Sequence, residues 1–206
     1  MQDLTLIREN INEMAGLTLS MLETAFAGFM KNDSDALDCV LKEKIRLNVM
    51  EKEITSSLVD ISRAKITAVE KKNIMFMIHI VTDLDQIGDY IEAIIERIQI
   101  KIEENLVFSD DSLDEYKHLY SVVQTELADV EKALRMNDKN FARRILCSTQ
   151  NHVDNLVAQY RQSHTKRIVA GTCQPRTCNM FSDLLDFTGQ ISRHTKAVAK
   201  NISDLQ

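Results

Sequence analysis

Apolar residues recur every three or four positions along most of the chain, which is the spacing of one face of an α-helix. In the first predicted helix, Asp3 to Lys31, these positions are Ile7, Ile11, Met14, Thr18, Met21, Ala25 and Phe29. In the third, about Lys72 to Asn105, they are Leu84, Ile87, Ile91, Ile94, Ile98 and Ile102. In the fourth they are Tyr116, Tyr120, Val123, Leu127, Val130 and Leu134. The pattern predicts an all-α fold.

Short polar segments separate these periodic stretches. KNDSD at 31–35 ends the first helix, and Asp33 or Ser34 can accept a backbone N–H at the start of the second, which we expect to run to about residue 68. In the second half MNDKN at 136–140 has the same character and predicts the corresponding break.

The second half of the chain repeats the plan of the first. Helix five is expected to reach about Ala170, GTCQPRT at 171–177 forms the last turn, and helix six covers 178–204. Because each helix is apolar on one side only, three must pack together to bury those sides. We therefore expect six helices in two tandem three-helix bundles, over residues 1–106 and 107–206.

Composition agrees with long helices, since the 206 residues include only five glycines, one proline and no tryptophan. The net charge is −6, with −7 on residues 1–105 and +1 on residues 106–206. Apolar runs such as IMFMIHIV at 74–81 are shorter than the roughly 20 residues of a membrane span. We expect a soluble, cytoplasmic protein, and the absence of interleaved basic and aromatic residues argues against nucleic-acid binding.

The four cysteines, Cys39, Cys147, Cys173 and Cys178, form no disulfide framework. Only the last two are near each other, and no paired second ligand cluster accompanies them. We expect reduced structural thiols and no zinc site.

One stretch carries a family resemblance. DLDQIGDYIEAIIERI at 83–98 resembles the PhoU signature D-L-E-R-I-G-D-x-A-x-N-I-A-E, with matches at Asp83, Leu84, Asp85, Ile87, Gly88, Asp89, Ile94 and Glu96. RLNVMEKEI at 46–54 is similar to the second-helix pattern of that family, and NHVDNLVAQY at 151–160 corresponds to it. ISRHTKAVAKNI at 191–202 resembles a degraded copy of the signature. The opening and late segments are also similar to the PhoU-like tail of bacterial sodium/phosphate cotransporters.

The resemblance implies two three-helix bundles, no catalytic turnover and a role in restraining phosphate uptake or its signalling, with a metal-cluster-binding phosphate-signalling protein as the alternative. The implied partner is a phosphate transporter or membrane sensor, which the protein would bind at the cytoplasmic side. A homodimer is also compatible with the resemblance. The chain would be a free-standing regulator or the tail of a cotransporter, peripheral to the membrane at most. Family members can bind iron or zinc clusters at an acidic motif, which corresponds here to Asp85 and Asp89.

The residues themselves favour either a metal or a solvated helix face. Asp85 and Asp89 lie one turn apart, and Glu92 and Glu96 extend the same acidic ladder. Ile87 is rotated about 200° from Asp85, which places the acids outside the core. Such hard oxygen ligands suit Mg²⁺, Ca²⁺, Mn²⁺ or iron, but a tight site needs further donors, for which Glu43, Glu51 and an acid of the first helix are candidates.

The second half inverts this charge pattern. A shift of 104 residues places Ile87 on Ile191 and replaces the ladder by Gly189, Arg193, Lys196 and Lys200. We therefore expect metal only in the first half. The inversion also motivates a docking hypothesis, in which the acidic ladder pairs with a basic strip on another copy or on a transporter loop. His194, in this basic stretch, is expected to be solvated.

A carboxylate-bridged metal enzyme is the alternative of a different class. Such bundles use Glu-x-x-His pairs from two helices, whereas only Glu115 with His118 has this spacing. No glycine-rich phosphate loop or nucleophile elbow is present. We therefore expect no enzyme and no catalytic residues.

Overall fold

A computed structural model describes residues 4–149 and 151–205. Within these ranges every regular element is a helix, which confirms the all-α fold. The segments are α1 Leu4–Lys31, α2 Ser34–Ser62, α3 Ala68–Glu103, α4 Asp110–Met136, α5 Lys139–Thr149, α6 His152–Val169 and α7 Pro175–Asp204. The predicted fifth helix is thus two segments, α5 and α6, on either side of Gln150, which lies outside the described residues, as does Asp3.

Asparagine ends several helices in this glycine-poor chain. Asn32, Asn105, Asn137 and Asn151 have φ between 50° and 59°, a left-handed conformation that asparagine tolerates better than most residues. Asp33 and Asp138 follow two of them and accept the backbone N–H of Ala36 and Phe141 at 3.1 and 2.9 Å. An Asn-Asp pair therefore ends one helix and caps the next, as the two polar breaks predicted.

The boundary between α2 and α3 was predicted several residues late. Helix α2 ends at Ser62 rather than near 68, and α3 begins at Ala68 rather than near Lys72. Thr67 and Glu70 form a capping box, in which each side chain accepts the backbone N–H of the other residue. This reciprocal cap fixes the start of α3. Helix α7 likewise begins earlier, with Pro175 in its first turn.

Each half of the chain packs as a bundle, and the two bundles share a long contact. Helices α1, α2 and α3 contact one another, and α4, α5 and α6 pack against α7. Between the halves, α3 packs on α7 and α1 on α4, so that one hydrophobic core runs through both. The 106/107 boundary falls between α3 and α4; independent folding of each half stays a prediction.

The cysteine prediction is partly wrong. Cys173 and Cys178 are joined by a disulfide, whereas Cys39 and Cys147 are free and exposed. Proximity explains the pair, since the turn before α7 brings their Cα atoms to 6.1 Å.

None of the described helices is both long enough and apolar enough to cross a membrane.

The left-handed asparagines give a stability prediction. Replacing exposed Asn137 (φ 50°) by alanine removes the short polar side chain that lets asparagine tolerate the left-handed conformation in the turn between α4 and α5, and it should lower the free energy of unfolding by about 1 kcal/mol. Asn137→Gly is the matched control and should leave it within about 0.5 kcal/mol of the parent, because glycine adopts this conformation freely. Urea unfolding followed by circular dichroism measures both. Equal losses for the two variants would contradict this role of Asn137.

Candidate functional site

The acidic octet DLDQIGDY at 83–90 lies where α3 packs closely against α2. A Cβ on Gly88 would overlap Cδ2 of Leu47 and lie 3.2 Å from Cδ of Lys44. Glycine at this position lets the Leu47 and Lys44 side chains pack directly against the backbone of α3. The contact places Lys44 of α2 directly against the acidic residues of α3.

Lys44 is buried, with 3% of its surface exposed. Its Nζ lies 2.8 Å from Oδ1 of Asp85 and 2.6 Å from Oδ1 of Asp89, and it donates to Oδ1 of Asn48 at 2.6 Å. An ammonium has three N–H donors, and these three oxygens satisfy them. Burial alone would lower the pKa of Lys44, but the hydrogen bonds and charges of the two aspartates outweigh it and raise that pKa. The two predicted site residues are therefore brought together around an internal cation.

Asp83 turns the other way, toward α7. Its Oδ1 contacts Nδ1 of His194 at 2.9 Å, and its Oδ2 accepts from Nδ2 of Asn201 at 3.5 Å. The expectation that His194 is solvated is wrong, because this contact and the neighbouring ring of Tyr90 hold it between the helices. The acids of the octet thus bind to two different partner helices.

As arranged, the acidic pair does not fit a metal site. Among residues 4–149 and 151–205, no third His, Cys or carboxylate joins Asp85 and Asp89 in a ligand cluster. Glu51 lies two helical turns from Lys44, about 10 Å along α2, and Glu43 is rotated about 100° from it. Metal at this pair stays a prediction, and it would require the Lys44 ammonium to leave.

Glu92 and Glu96, the outer half of the acidic ladder, do not hold an internal cation. Glu92 is partly exposed and Glu96 is exposed, and neither forms an ion pair with another described residue. The ladder therefore divides into an inner pair that holds Lys44 and an outer pair that faces solvent.

The basic ladder of the second half is also engaged within the chain. Arg193 lies 3.2 Å from Asp154 of α6, and Lys196 lies 4.0 Å from the carboxylate of Glu126 on α4. Glu126 is buried, which raises its pKa, and it accepts the hydroxyl of Ser192 at 2.5 Å. Two of the three basic side chains of this ladder therefore have acidic partners within the chain, whereas Lys200 is exposed.

The Glu-x-x-His pair of the enzyme alternative has other partners. Glu115 forms a half-buried ion pair with Arg167 at 2.6 Å. His118 Nδ1 hydrogen-bonds the hydroxyl of Tyr160. Each side chain is thus held by α6 in a separate contact.

Two features of this region were not predicted from the sequence. Nothing in the sequence around Lys44 distinguishes it from a surface lysine. The histidine nearest to the cysteine pair along the chain is His164, which lies nine residues before Cys173. His164 of α6 nevertheless lies beside Cys173 and Cys178, with ligand atoms within 4.8 Å of one another, so the three residues could hold a metal ion. The nine-residue separation of His164 from Cys173 was the available signal.

Comparison with known proteins agrees with this architecture. Residues 11–98 match the PhoU domain family. The structure is similar to PhoU from Pseudomonas aeruginosa, with a TM-score of 0.90 at 21% identity, covering 98% of this chain and 96% of that one. It is also similar to the phosphate transport system regulatory protein PhoU from Streptococcus pneumoniae, with a TM-score of 0.86 at 11% identity and coverages of 98% and 94%.

A PhoU-like phosphate regulatory protein from Shewanella oneidensis is more distant, with a TM-score of 0.60 at 13% identity and coverages of 99% and 94%. No curated protein matches the chain. The resemblance to the PhoU family is confirmed: residues 11–98 match the PhoU domain, and the structure has the fold of solved PhoU proteins along its described length.

Proposed function

We propose that this protein regulates phosphate uptake by binding a phosphate transporter or a membrane sensor at the cytoplasmic side, without catalytic turnover. The observation that carries the proposal is the likeness to PhoU of Pseudomonas aeruginosa over 98% of the chain. The Streptococcus pneumoniae relative is described as a phosphate transport system regulatory protein. The same function would hold whether the chain acts alone or as the tail of a sodium/phosphate cotransporter.

The outer ladder is the surface we propose for the partner. Glu92 and Glu96 lie four residues apart on α3 without ion pairs to other described residues, so a basic loop of a transporter can approach them without breaking an existing contact. Exposed ion pairs add about 0–1 kcal/mol each. They would therefore set the orientation and rate of docking more than its affinity.

Phosphate transport in the native host tests this role. We expect deletion of the gene to raise the uptake of radiolabelled phosphate, and a wild-type copy to return the uptake to its original level. A copy with Glu92→Gln and Glu96→Gln should lower the raised uptake only in part. A copy with Asp38→Asn and Glu53→Gln, which removes equal charge from exposed positions on α2, should return the uptake fully to its original level. Uptake that is unchanged by the deletion would contradict the regulatory role.

Lys44 gives a stability prediction for the inner pair. Lys44→Met leaves the partly buried carboxylate of Asp85 and the exposed one of Asp89 without their cation, and it should lower the free energy of unfolding by about 1.5–3 kcal/mol. Adding Asp85→Asn and Asp89→Asn should recover most of the loss. Lys42→Met, at an exposed position, is the control and should stay within about 0.5 kcal/mol of the parent.

The pH dependence of this difference follows from the raised pKa of Lys44. A cation with a raised pKa contributes its full stability below the ordinary lysine value of 10.5 and loses it as the pH rises through the folded-state pKa. The difference between parent and Lys44→Met should therefore be constant near neutral pH and shrink only above about pH 10.5. A difference that changes between about pH 6 and pH 8 would contradict this assignment.

Metal binding at Asp85 and Asp89 is a second proposal, with Lys44 as its competitor. If the carboxylates bind a metal, Lys44→Met should raise the metal content of the purified protein, and Asp85→Asn with Asp89→Asn should abolish it. Elemental analysis of the three proteins distinguishes the outcomes. Equal content in all three would remove the pair as ligands.

A further inference from the structure

The turn between α6 and α7 gathers side chains that the phosphate role does not use. His164 lies on α6, Cys173 lies in the turn, and Cys178 lies in the first turns of α7. A ring nitrogen of His164 and the two sulfurs lie within 4.8 Å of one another. Two thiolates and an imidazole form a donor set suited to a thiophilic ion such as Zn²⁺.

His164 has the hydrogen bonding of a metal ligand. It is 2% exposed, and its Nε2 lies 2.9 Å from the carbonyl oxygen of Cys178. A carbonyl only accepts, so Nε2 carries the proton and Nδ1 presents a lone pair. That Nδ1 is buried and has no hydrogen-bond partner among the described residues. Metal-binding histidines usually donate their second ring N–H to a carboxylate or backbone carbonyl in this way.

A cavity of about 260 Å³ adjoins the cluster. His164, Cys173 and Thr177 line it, together with Phe108 and Phe181. The hydroxyl of Thr177 is a second buried polar group without a partner in the described structure. The cavity gives room for a water molecule as a fourth ligand, beside a hydroxyl able to hydrogen-bond it.

We propose that reduced Cys173 and Cys178 bind one Zn²⁺ ion together with His164, and that formation of the disulfide releases it. A dithiol reductant supplies two electrons and two protons to the disulfide and is itself oxidised to a disulfide. The two resulting thiols then lose their protons as Zn²⁺ binds. In the reverse direction, the disulfide form of that reductant accepts two electrons from the two thiolates and two protons from solvent, and the Cys173–Cys178 disulfide forms as the ion leaves. The 6.1 Å separation of the two Cα atoms suits both states, since thiolate sulfurs lie about 2.3 Å from zinc.

The location gives this site a structural consequence. Val107, Phe108 and Ser109, in the connection between α3 and α4, line the same cavity, and Arg176 pairs with Glu104 at the end of α3. A change in the redox or metal state of the α6–α7 turn would therefore alter the packing of the connection between α3 and α4, where the two halves of the chain join.

Equilibrium dialysis against Zn²⁺ tests the proposal on the full chain. We expect one zinc per chain after reduction with a phosphine, checked by titration of all four thiols, and none after oxidation. Cys173→Ser, at the least buried ligand, should weaken binding more than about ten-fold. Cys39→Ser with Cys147→Ser is the matched control and should bind as the parent does.

Two further measurements distinguish zinc at the α6–α7 turn from zinc held elsewhere on the chain. Asp85→Asn with Asp89→Asn should leave zinc binding unchanged if the ion is held at this turn. With Co²⁺ in place of zinc, thiolate charge-transfer absorption should appear in the reduced parent and be weaker in Cys173→Ser, which keeps only the Cys178 thiolate at this turn. Reduced protein that binds no zinc, or binding insensitive to Cys173→Ser, would overturn the proposal whether or not the phosphate role holds.

Discussion

The contact between α3 and α7 is the constraint on which the other packing depends. Each of these helices must bury one side in its own bundle and another side against its counterpart. Asp83, Tyr90 and Arg97 recur every seven residues on the side of α3 that meets α7, where their partners are His194, Phe187 and Asp183. Leu84, Ile87 and Ile91 are fully buried, and Asp85 and Asp89 face α2. The mixture of acids and isoleucines in the octet thus reflects a helix with partners on several sides.

This arrangement also shows why the two halves can carry opposite charges at matching positions. Asp89 of α3 pairs with a lysine of α2, whereas Arg193, 104 residues later on α7, pairs with Asp154 of α6. In each half a charge on the long central helix is neutralised by its opposite on a neighbouring helix. Charge inversion therefore preserves an interaction between helices and does not by itself create complementary surfaces for a second copy.

Much of the fold followed from local patterns, whereas the site depends on the rotation of one helix relative to another. All seven apolar positions assigned to the first helix are buried, and the Asn-Asp breaks occur where expected, because periodicity and caps are encoded within a few residues. The break between α5 and α6 was missed because no proline or glycine marks it; Asn151 takes the left-handed conformation instead. Lysine is usually solvated, so the sequence gives no reason to expect a buried Lys44. It is buried because α2 and α3 pack closely at Gly88, which depends on how the two helices are placed. The cluster of His164 with the cysteines depends in the same way on how α6 and α7 fold back on each other.

The two candidate metal positions differ in chemistry, and this difference decides how much each opposes the binding of an ion. At Asp85 and Asp89 the donors are hard carboxylates, already neutralised by an ammonium whose three donors are all used. A metal there must remove a buried cation and satisfy Lys44 elsewhere, which opposes binding. At His164 the opposite holds once the Cys173–Cys178 disulfide is reduced, because a buried ring nitrogen lacks a partner among the described residues and an ion would supply one. The free-energy cost of binding an ion is therefore lower at His164 and the reduced cysteines than at Asp85 and Asp89, although the two aspartates lie in the stretch that resembles the PhoU signature.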